Sequence, residues 1–185
     1  LGSFLFMRIH KDGEDKRFRT IKPSATQFFM TWTLQGLWVS LCSMCALTAI
    51  SSDSGVVMNA LFYIGLGLFL YGFITEVIAD KQKTAFRSIP ENRDKFITSG
   101  LWAKSRHPNF FGEIVLWSGI AVMSFSSLNG LQYLTLISPL FTYFLLVYVS
   151  GVRMLEDRAD KKWGHDEEYI KYKSETPVLL INFMK

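Results

Sequence analysis

Four long apolar segments, separated by short polar pieces, are the feature that most constrains the fold of this chain of 185 residues. They cover residues 26–50, 56–78, 109–125 and 131–152. A helix rises about 1.5 Å per residue, so roughly 20 apolar residues cross a hydrocarbon core of about 30 Å. The pattern predicts an all-α, polytopic membrane helix bundle. We expect four transmembrane helices, a cytoplasmic connector and an amphipathic C-terminal tail at 153–185, which together form a single membrane domain over residues 1–185.

The basic residues indicate how this bundle is oriented. All 20 Lys and Arg residues lie in the N-terminal piece, the connector between the second and third segments, and the tail. Four crossings place these three pieces on one side, which the positive-inside rule makes cytoplasmic. We therefore expect an integral protein of the bacterial inner membrane or the endoplasmic reticulum, with its polar face in the cytosol. Because the cations flank apolar segments, they indicate lipid headgroups as partners and no nucleic acid.

Composition agrees with a membrane protein, since 49% of the residues are hydrophobic and only 19% are charged. Cys42 and Cys45 are spaced C-x-x-C inside the first segment, without further ligand residues nearby. We interpret them as small packing residues and predict no metal site. Gly65, Gly67 and Gly72 in the second segment permit close contact with another helix.

Carboxylates near the ends of two segments are the polar groups that need an explanation, because a charge within a membrane is costly without a partner or a cavity. Glu76 and Asp80 are spaced i, i+4 near the end of the second segment, and Lys83 and Arg87 continue the same stripe. This spacing fits either a salt-bridged helix end at the membrane interface or a binding site.

A second group lies where the third helix begins. Asn109 and Glu113 share a helix face, and Pro108 suits the first position of a helix. The free N–H groups at such an end, beside Arg106 and His107, suit a phosphate or a carboxylate. The alternative is that Arg106 anchors to lipid headgroups and that His107 only caps the helix.

The block GLWAKSRHPNFFGE at Gly100–Glu113 resembles a known family of membrane proteins. Supporting motifs are GEDKRF at 13–18, EVIADKQKTAF at 76–86, and KWG followed by two Tyr and TPVLLI in the tail. The chain is similar to the proteins of unknown function called DUF1295, which are related to the C-terminal domain of steroid 5-alpha-reductases. The same superfamily includes sterol reductases and isoprenylcysteine carboxyl methyltransferases, so the block indicates a fold more than a reaction.

The resemblance implies an NADPH site at the cytosolic face. Glu76, Asp80 and Arg87 match the spacing of cofactor-binding residues in the steroid reductases, although those enzymes have Asn at the first position. Asn109, Gly112 and Glu113 match a second motif, with Phe111 in place of Leu. In the tail, the plausible counterparts of the remaining cofactor residues are Arg153, Arg158, Tyr169 and Tyr172.

The resemblance leaves the catalytic residues unknown, because the Glu and Tyr that polarise the substrate carbonyl come from earlier helices of those reductases. We expect that the chain lacks upstream helices, since LGSFLFMRI is typical of the middle of one.

Three functions are compatible with this sequence. The leading hypothesis is an NADPH-dependent reductase of a carbon–carbon double bond in a steroid-like or other lipid enone. The alternatives are a lipid or isoprenylcysteine methyltransferase that uses S-adenosylmethionine, and a non-catalytic lipid-binding membrane protein.

Overall fold

The computed structural model describes residues 6–7, 9–10, 13, 18–53 and 55–182. The chain divides into two compact units, Leu1–Leu41 and Cys42–Lys185. All regular elements of the described residues are helical. The α-helices are α1 (Phe18–Ile21), α2 (Ala25–Ile50), α3 (Ala60–Ser88), α4 (Pro108–Ser124), α5 (Ser138–Phe144), α6 (Val152–Trp163) and α7 (Glu167–Glu175). This confirms the predicted all-α class.

Within the described residues, four helical stretches are long and apolar enough to cross a membrane, as the sequence predicts: Ala25–Ile50, Ala60–Ser88, Pro108–Ser127 and Gly130–Trp163. In the first, hydroxyl side chains donate back to carbonyls one turn earlier. Thr31 donates to the carbonyl of Gln27 at 2.7 Å, and Thr48 donates to that of Met44 at 2.8 Å. Such bonds satisfy polar side chains that lipid could not.

The second apolar segment, predicted as a helix over 56–78, forms α3, and both ends of α3 differ from that prediction. It begins at Ala60, because the preceding residues are extended and the N–H of Val57 donates to Ser127 Oγ at 2.9 Å. The Asn59 side chain then caps the helix. At the other end α3 continues past Ile78 to Ser88, and Pro90 ends it by disfavouring the helical region for Ile89. Glu76 and Asp80 therefore lie within a helix and not at its end.

Glycines hold α3 and α4 in close contact. A Cβ on Gly72 would lie 2.5 Å from the carbonyl oxygen of Gly112, and one on Gly119 would lie 2.7 Å from that of Gly65. The backbones touch, as in other membrane helix pairs with small residues at their interface. The prediction holds for Gly65 and Gly72, but Gly67 has open space around it.

The fourth stretch is less regular than the single helix predicted over 131–152. It runs as a 3-10 helix (Gly130–Ile137), α5, a π-helical turn (Leu145–Val149) and α6, with a break at Ser150 and Gly151. Pro139 stands in the first turn of α5, where its missing N–H does least harm. Helical structure thus continues into the predicted tail as far as Trp163.

The end of the tail lies against the connector. The N–H of Arg106 donates to the carbonyl of Pro177 at 2.9 Å, and the N–H of His107 donates to that of Val178 at 3.0 Å. The buried Ser105 hydroxyl adds a bond to the Leu179 carbonyl at 2.9 Å. These bonds fix the segment that leads into α4.

Candidate functional site

The glycine contact between α3 and α4 brings two carboxylates together. A Cβ on Gly112 would lie 2.8 Å from the backbone nitrogen of Glu76, so only glycine permits this approach. As a result Glu76 and Glu113 are electrostatic neighbours, and Asp80 lies close enough to interact with both. We call Glu76, Asp80, Asn109 and Glu113 the carboxylate cluster. All four were predicted as cofactor-binding residues, and the structure places them side by side.

The Asn109 amide and a neighbouring tryptophan ring complete the surroundings of the carboxylates. The Asn109 side chain lies beside the Asp80 carboxylate, while its own oxygen Oδ1 is buried and accepts no hydrogen bond from a described residue. The Glu113 carboxylate lies beside the indole of Trp117, one turn further along α4. A buried carbonyl oxygen normally has a donor. The cluster therefore offers acceptors that suit the hydroxyl or amide groups of a ligand.

Arg106 and His107 are held by a residue that sequence reasoning missed. The Arg106 guanidinium contacts Glu156 Oε2 at 2.5 Å, and His107 Nε2 lies 2.7 Å from Glu156 Oε1. The predicted open anion site at Arg106 is thus largely filled by a carboxylate from α6. Only Arg106 Nε is buried without an acceptor among the described residues. The sequence feature that could have indicated this contact is the pair Glu156 and Asp160, which are spaced i, i+4 in the charged tail.

Asp160 continues this network. Its carboxylate accepts from Lys173 Nζ at 2.6 Å and from the Tyr169 hydroxyl at 2.9 Å. Burial, together with the bond to Asp160, raises the pKa of Tyr169 above its usual range. The hydroxyl therefore stays protonated at neutral pH and donates its hydrogen bond to Asp160. We call the connected residues the tail network: Arg106, His107, Glu156, Asp160, Tyr169 and Lys173.

Trp102 connects α3 with α7. Its indole N–H donates to the carbonyl of Ala79 on α3 at 3.0 Å, and its own carbonyl accepts from the Tyr172 hydroxyl at 2.7 Å. The Lys83 ammonium lies 4.7 Å from the centre of its ring. Burial raises the pKa of Tyr172, so this hydroxyl stays protonated and keeps its bond.

The remaining predicted cofactor residues lie apart from these contacts. Arg87 is exposed near Lys83 on α3. Arg153 and Arg158 are exposed on α6, and neither forms an ion pair or hydrogen bond with a described residue. Among the described residues, no three His, Cys, Asp or Glu side chains are grouped as metal ligands.

Residues 1–176 match the family model described as "Protein of unknown function (DUF1295)". The chain is also 30% identical over 116 residues to the "Probable O-methyltransferase ustE" of Ustilaginoidea virens. That alignment covers 55% of this chain and 41% of the relative, so the chain spans less than half of that protein's length. No solved structure matches the chain.

Proposed function

Since the chain belongs to the DUF1295 family, we propose that it is part of a membrane enzyme, and specifically of an NADPH-dependent reductase. Its substrate would be a carbon–carbon double bond in a steroid-like or other lipid enone. The observation that carries this proposal is the carboxylate cluster, because three acids and a buried amide oxygen meet there without a basic partner for each acid.

The residues present fit a dinucleotide cofactor. Glu113 and Asp80 would accept hydrogen bonds from ribose hydroxyls or from the nicotinamide amide group, and Asn109 Oδ1 would supply one more acceptor. The positive dipole end at the start of α4 would favour a phosphate, although Glu156 already occupies the Arg106 side of this helix end. When bound, NADPH supplies the hydride that the reduction requires.

The location of the cluster supports a substrate that arrives from the bilayer. Glu113 lies in the second turn of α4, and Glu76 lies in the half of α3 nearer the connector, which carries Lys and Arg residues. By the positive-inside rule this is the cytosolic end. A cytosolic cofactor and a membrane-borne lipid would therefore meet at this depth, and α3 presents exposed apolar side chains to the lipid.

A second candidate function is a methyltransferase that uses S-adenosylmethionine. The observation in its favour is the relative named as a probable O-methyltransferase. The same acceptors suit the ribose hydroxyls and the ammonium group of that cofactor. The i, i+4 pair Glu76 and Asp80, with Arg87 further along α3, favours the reductase because of its match to the steroid reductase spacing.

Cofactor titration separates these functions. The full chain in nanodiscs is titrated with NADPH and with S-adenosylmethionine, and Glu113→Gln is compared with Glu91→Gln, an exposed control in the connector. We expect NADPH to bind and its affinity to fall about tenfold or more in Glu113→Gln alone, since a bond to a charged acceptor is lost. Binding of S-adenosylmethionine without NADPH would refute the reductase. Binding of neither would favour the third function, a lipid-binding protein without catalysis.

A further inference from the structure

Lys83 contacts an aromatic ring at the edge of the carboxylate cluster where the sequence indicates an ion pair. Asp80 and Lys83 are spaced i, i+3 on α3, and opposite charges at this spacing attract each other on a helix surface. Lys83 is an electrostatic neighbour of Asp80, but it forms no ion pair with a carboxylate of the described residues. Its ammonium lies instead over the Trp102 ring, 4.7 Å from the ring centre. The Trp102 ring therefore competes with Asp80 for the Lys83 ammonium.

The Trp102 ring is buried and held by bonds on both sides. Its indole N–H donates to the carbonyl of Ala79 at 3.0 Å, and the Trp102 carbonyl accepts from the Tyr172 hydroxyl at 2.7 Å. The N–H of Leu101, the residue before it, donates to Gln82 Oε1 on α3 at 2.9 Å. The ring is thus fixed against α3, whereas the lysine side chain that lies over it is flexible.

A second lysine and tryptophan pair, in the tail, shows that an indole ring does not by itself prevent an ion pair. The Lys162 ammonium lies 4.9 Å from the centre of the Trp163 ring and also donates to Asp94 at 2.9 Å. At Lys83 the ring contact is present without an ion pair to a described carboxylate. The difference therefore follows from where Trp102 is placed against α3.

This placement matters because the proposed function uses Asp80 as a hydrogen-bond acceptor. An ion pair with Lys83 would occupy the Asp80 carboxylate and would neutralise part of the charge of the carboxylate cluster. A cation over the face of a tryptophan is stabilised by the ring itself and uses no carboxylate oxygen. The contact with Trp102 thus accommodates the lysine and leaves the acid open.

We propose that Trp102 is a positioning residue, which holds the Lys83 ammonium away from Asp80 and so keeps the Asp80 carboxylate open to a donor group of a ligand. The inference rests on the proposed function only for the identity of that ligand. The competition between Trp102 and Asp80 for Lys83 belongs to the chain itself, so it can be measured without a cofactor.

Unfolding measurements on the full chain in nanodiscs test this competition. The coupling between Lys83 and Asp80 is obtained from the stabilities of Lys83→Gln, Asp80→Asn and the double variant. The same cycle is then repeated in Trp102→Leu. We expect the coupling to be small in the presence of Trp102 and clearly larger in Trp102→Leu, because the lysine then turns to the acid.

The tail provides a matched control for this cycle. The coupling of Lys162 with Asp94 should be the same with Trp163 and in Trp163→Leu, since that lysine already bonds to its acid. Trp102→Phe serves if Trp102→Leu does not fold. It keeps a smaller ring with a weaker attraction for a cation, so the coupling should exceed that of the wild type.

Ligand binding tests the consequence for the carboxylate cluster. NADPH should bind about threefold or more weakly to Trp102→Leu, because Lys83 then occupies Asp80. This loss should disappear when Trp102→Leu/Lys83→Gln is compared with Lys83→Gln alone. A residue that only stabilises the fold would not show such a recovery, since removal of the lysine charge repairs no packing around Trp102.

The remaining outcomes separate this inference from the proposed function. Equal coupling of Lys83 and Asp80 with and without Trp102 would overturn the inference, whether or not NADPH binds. A loss of NADPH affinity that persists in the Lys83→Gln background would also overturn it, because Trp102 would then act through packing. If the coupling changes as expected but the wild type binds no NADPH, the positioning by Trp102 stands and the reductase fails.

Discussion

The carboxylate cluster and the tail network both contain acidic side chains on helices, but the groups around these acids differ in charge. In the tail network, Glu156 and Asp160 are each in contact with basic or hydroxyl donors. In the carboxylate cluster, the neighbours of Glu76 include two other acids, Glu113 and Asp80. One group is neutralised by the fold, whereas the other is left with an excess of acceptors.

This difference indicates different roles. A buried ion pair costs desolvation and is retained where it fixes geometry, while removal of one partner is strongly destabilising. The tail network accordingly positions the segment that begins α4. Like charges held together by a glycine contact cost stability instead, and such arrangements are typical of sites that bind something. Mutations can test whether the two groups really differ in this way.

The largest effect is expected for Glu156→Ala. This variant leaves the Arg106 guanidinium and the His107 ring without their carboxylate partner, and both side chains are mostly buried. We expect a loss of about 3–5 kcal/mol in stability, visible as a lower melting temperature in detergent. Asp157→Ala, on the exposed side of the same helix, is the control. An equal, small effect of both variants would show that the tail network does not stabilise the fold.

A smaller loss is expected where the helices touch. In Gly112→Ala the new Cβ would lie 2.6 Å from the Gly72 carbonyl oxygen, so α3 and α4 must separate. We expect about 1–3 kcal/mol of destabilisation, again measured by thermal melting. Gly67→Ala on α3 adds a methyl group in open space and should be neutral or slightly stabilising. Should the two variants melt alike, close contact at Gly112 is not what holds the carboxylate cluster together.

The same substitution, Glu to Gln, is expected to change stability differently in the carboxylate cluster and in the tail network. Glu113→Gln tests this in the carboxylate cluster. It removes one of several like charges, so stability should stay unchanged or rise by up to about 1 kcal/mol, while NADPH affinity falls. Glu156→Gln, in contrast, should lower the melting temperature, since it weakens the contacts with Arg106 and His107. If Glu113→Gln destabilises as strongly as Glu156→Gln, Glu113 is a structural residue.

Local patterns in the sequence were sufficient to predict the four apolar helices and much of the carboxylate cluster. The i, i+4 spacing of Glu76 and Asp80, and of Asn109 and Glu113, puts each pair on one helix face whatever the tertiary packing. Pro108 marks the start of α4, and the structure begins that helix there. These features depend on residues only a few positions apart.

The partners of Arg106 and Trp102 could not be predicted in this way. Glu156 is 50 residues away from Arg106, and Tyr172 is 70 away from Trp102. No periodicity links such positions, and the sequence alone does not distinguish which of several acids in the tail forms the ion pair with Arg106. The break at Gly151 was not predicted either. An apolar run such as 131–152 fits a single α-helix as well as the succession of 3-10, α and π helical turns that the chain forms.

The smallest expected effect concerns an exposed ion pair at the edge of the tail. The Lys162 ammonium donates to Asp94 and holds the pKa of that carboxyl below its usual range. Because the pKa is lowered in the folded protein, the pair stabilises the fold at neutral pH. This contribution is lost as the pH falls below the ordinary Asp value of 3.8 and through the lowered one.

The melting temperature of Asp94→Asn should therefore be slightly lower than that of the wild type at pH 7. In strong acid the two melting temperatures should be equal. Glu91→Gln is the control. The effect should be far smaller than that of Glu156→Ala, since water screens exposed charges and leaves little net gain from pairing them. A loss in Asp94→Asn that matches the loss in Glu156→Ala would mean that burial does not separate the tail network from surface pairs. The contrast with the carboxylate cluster would then need another cause.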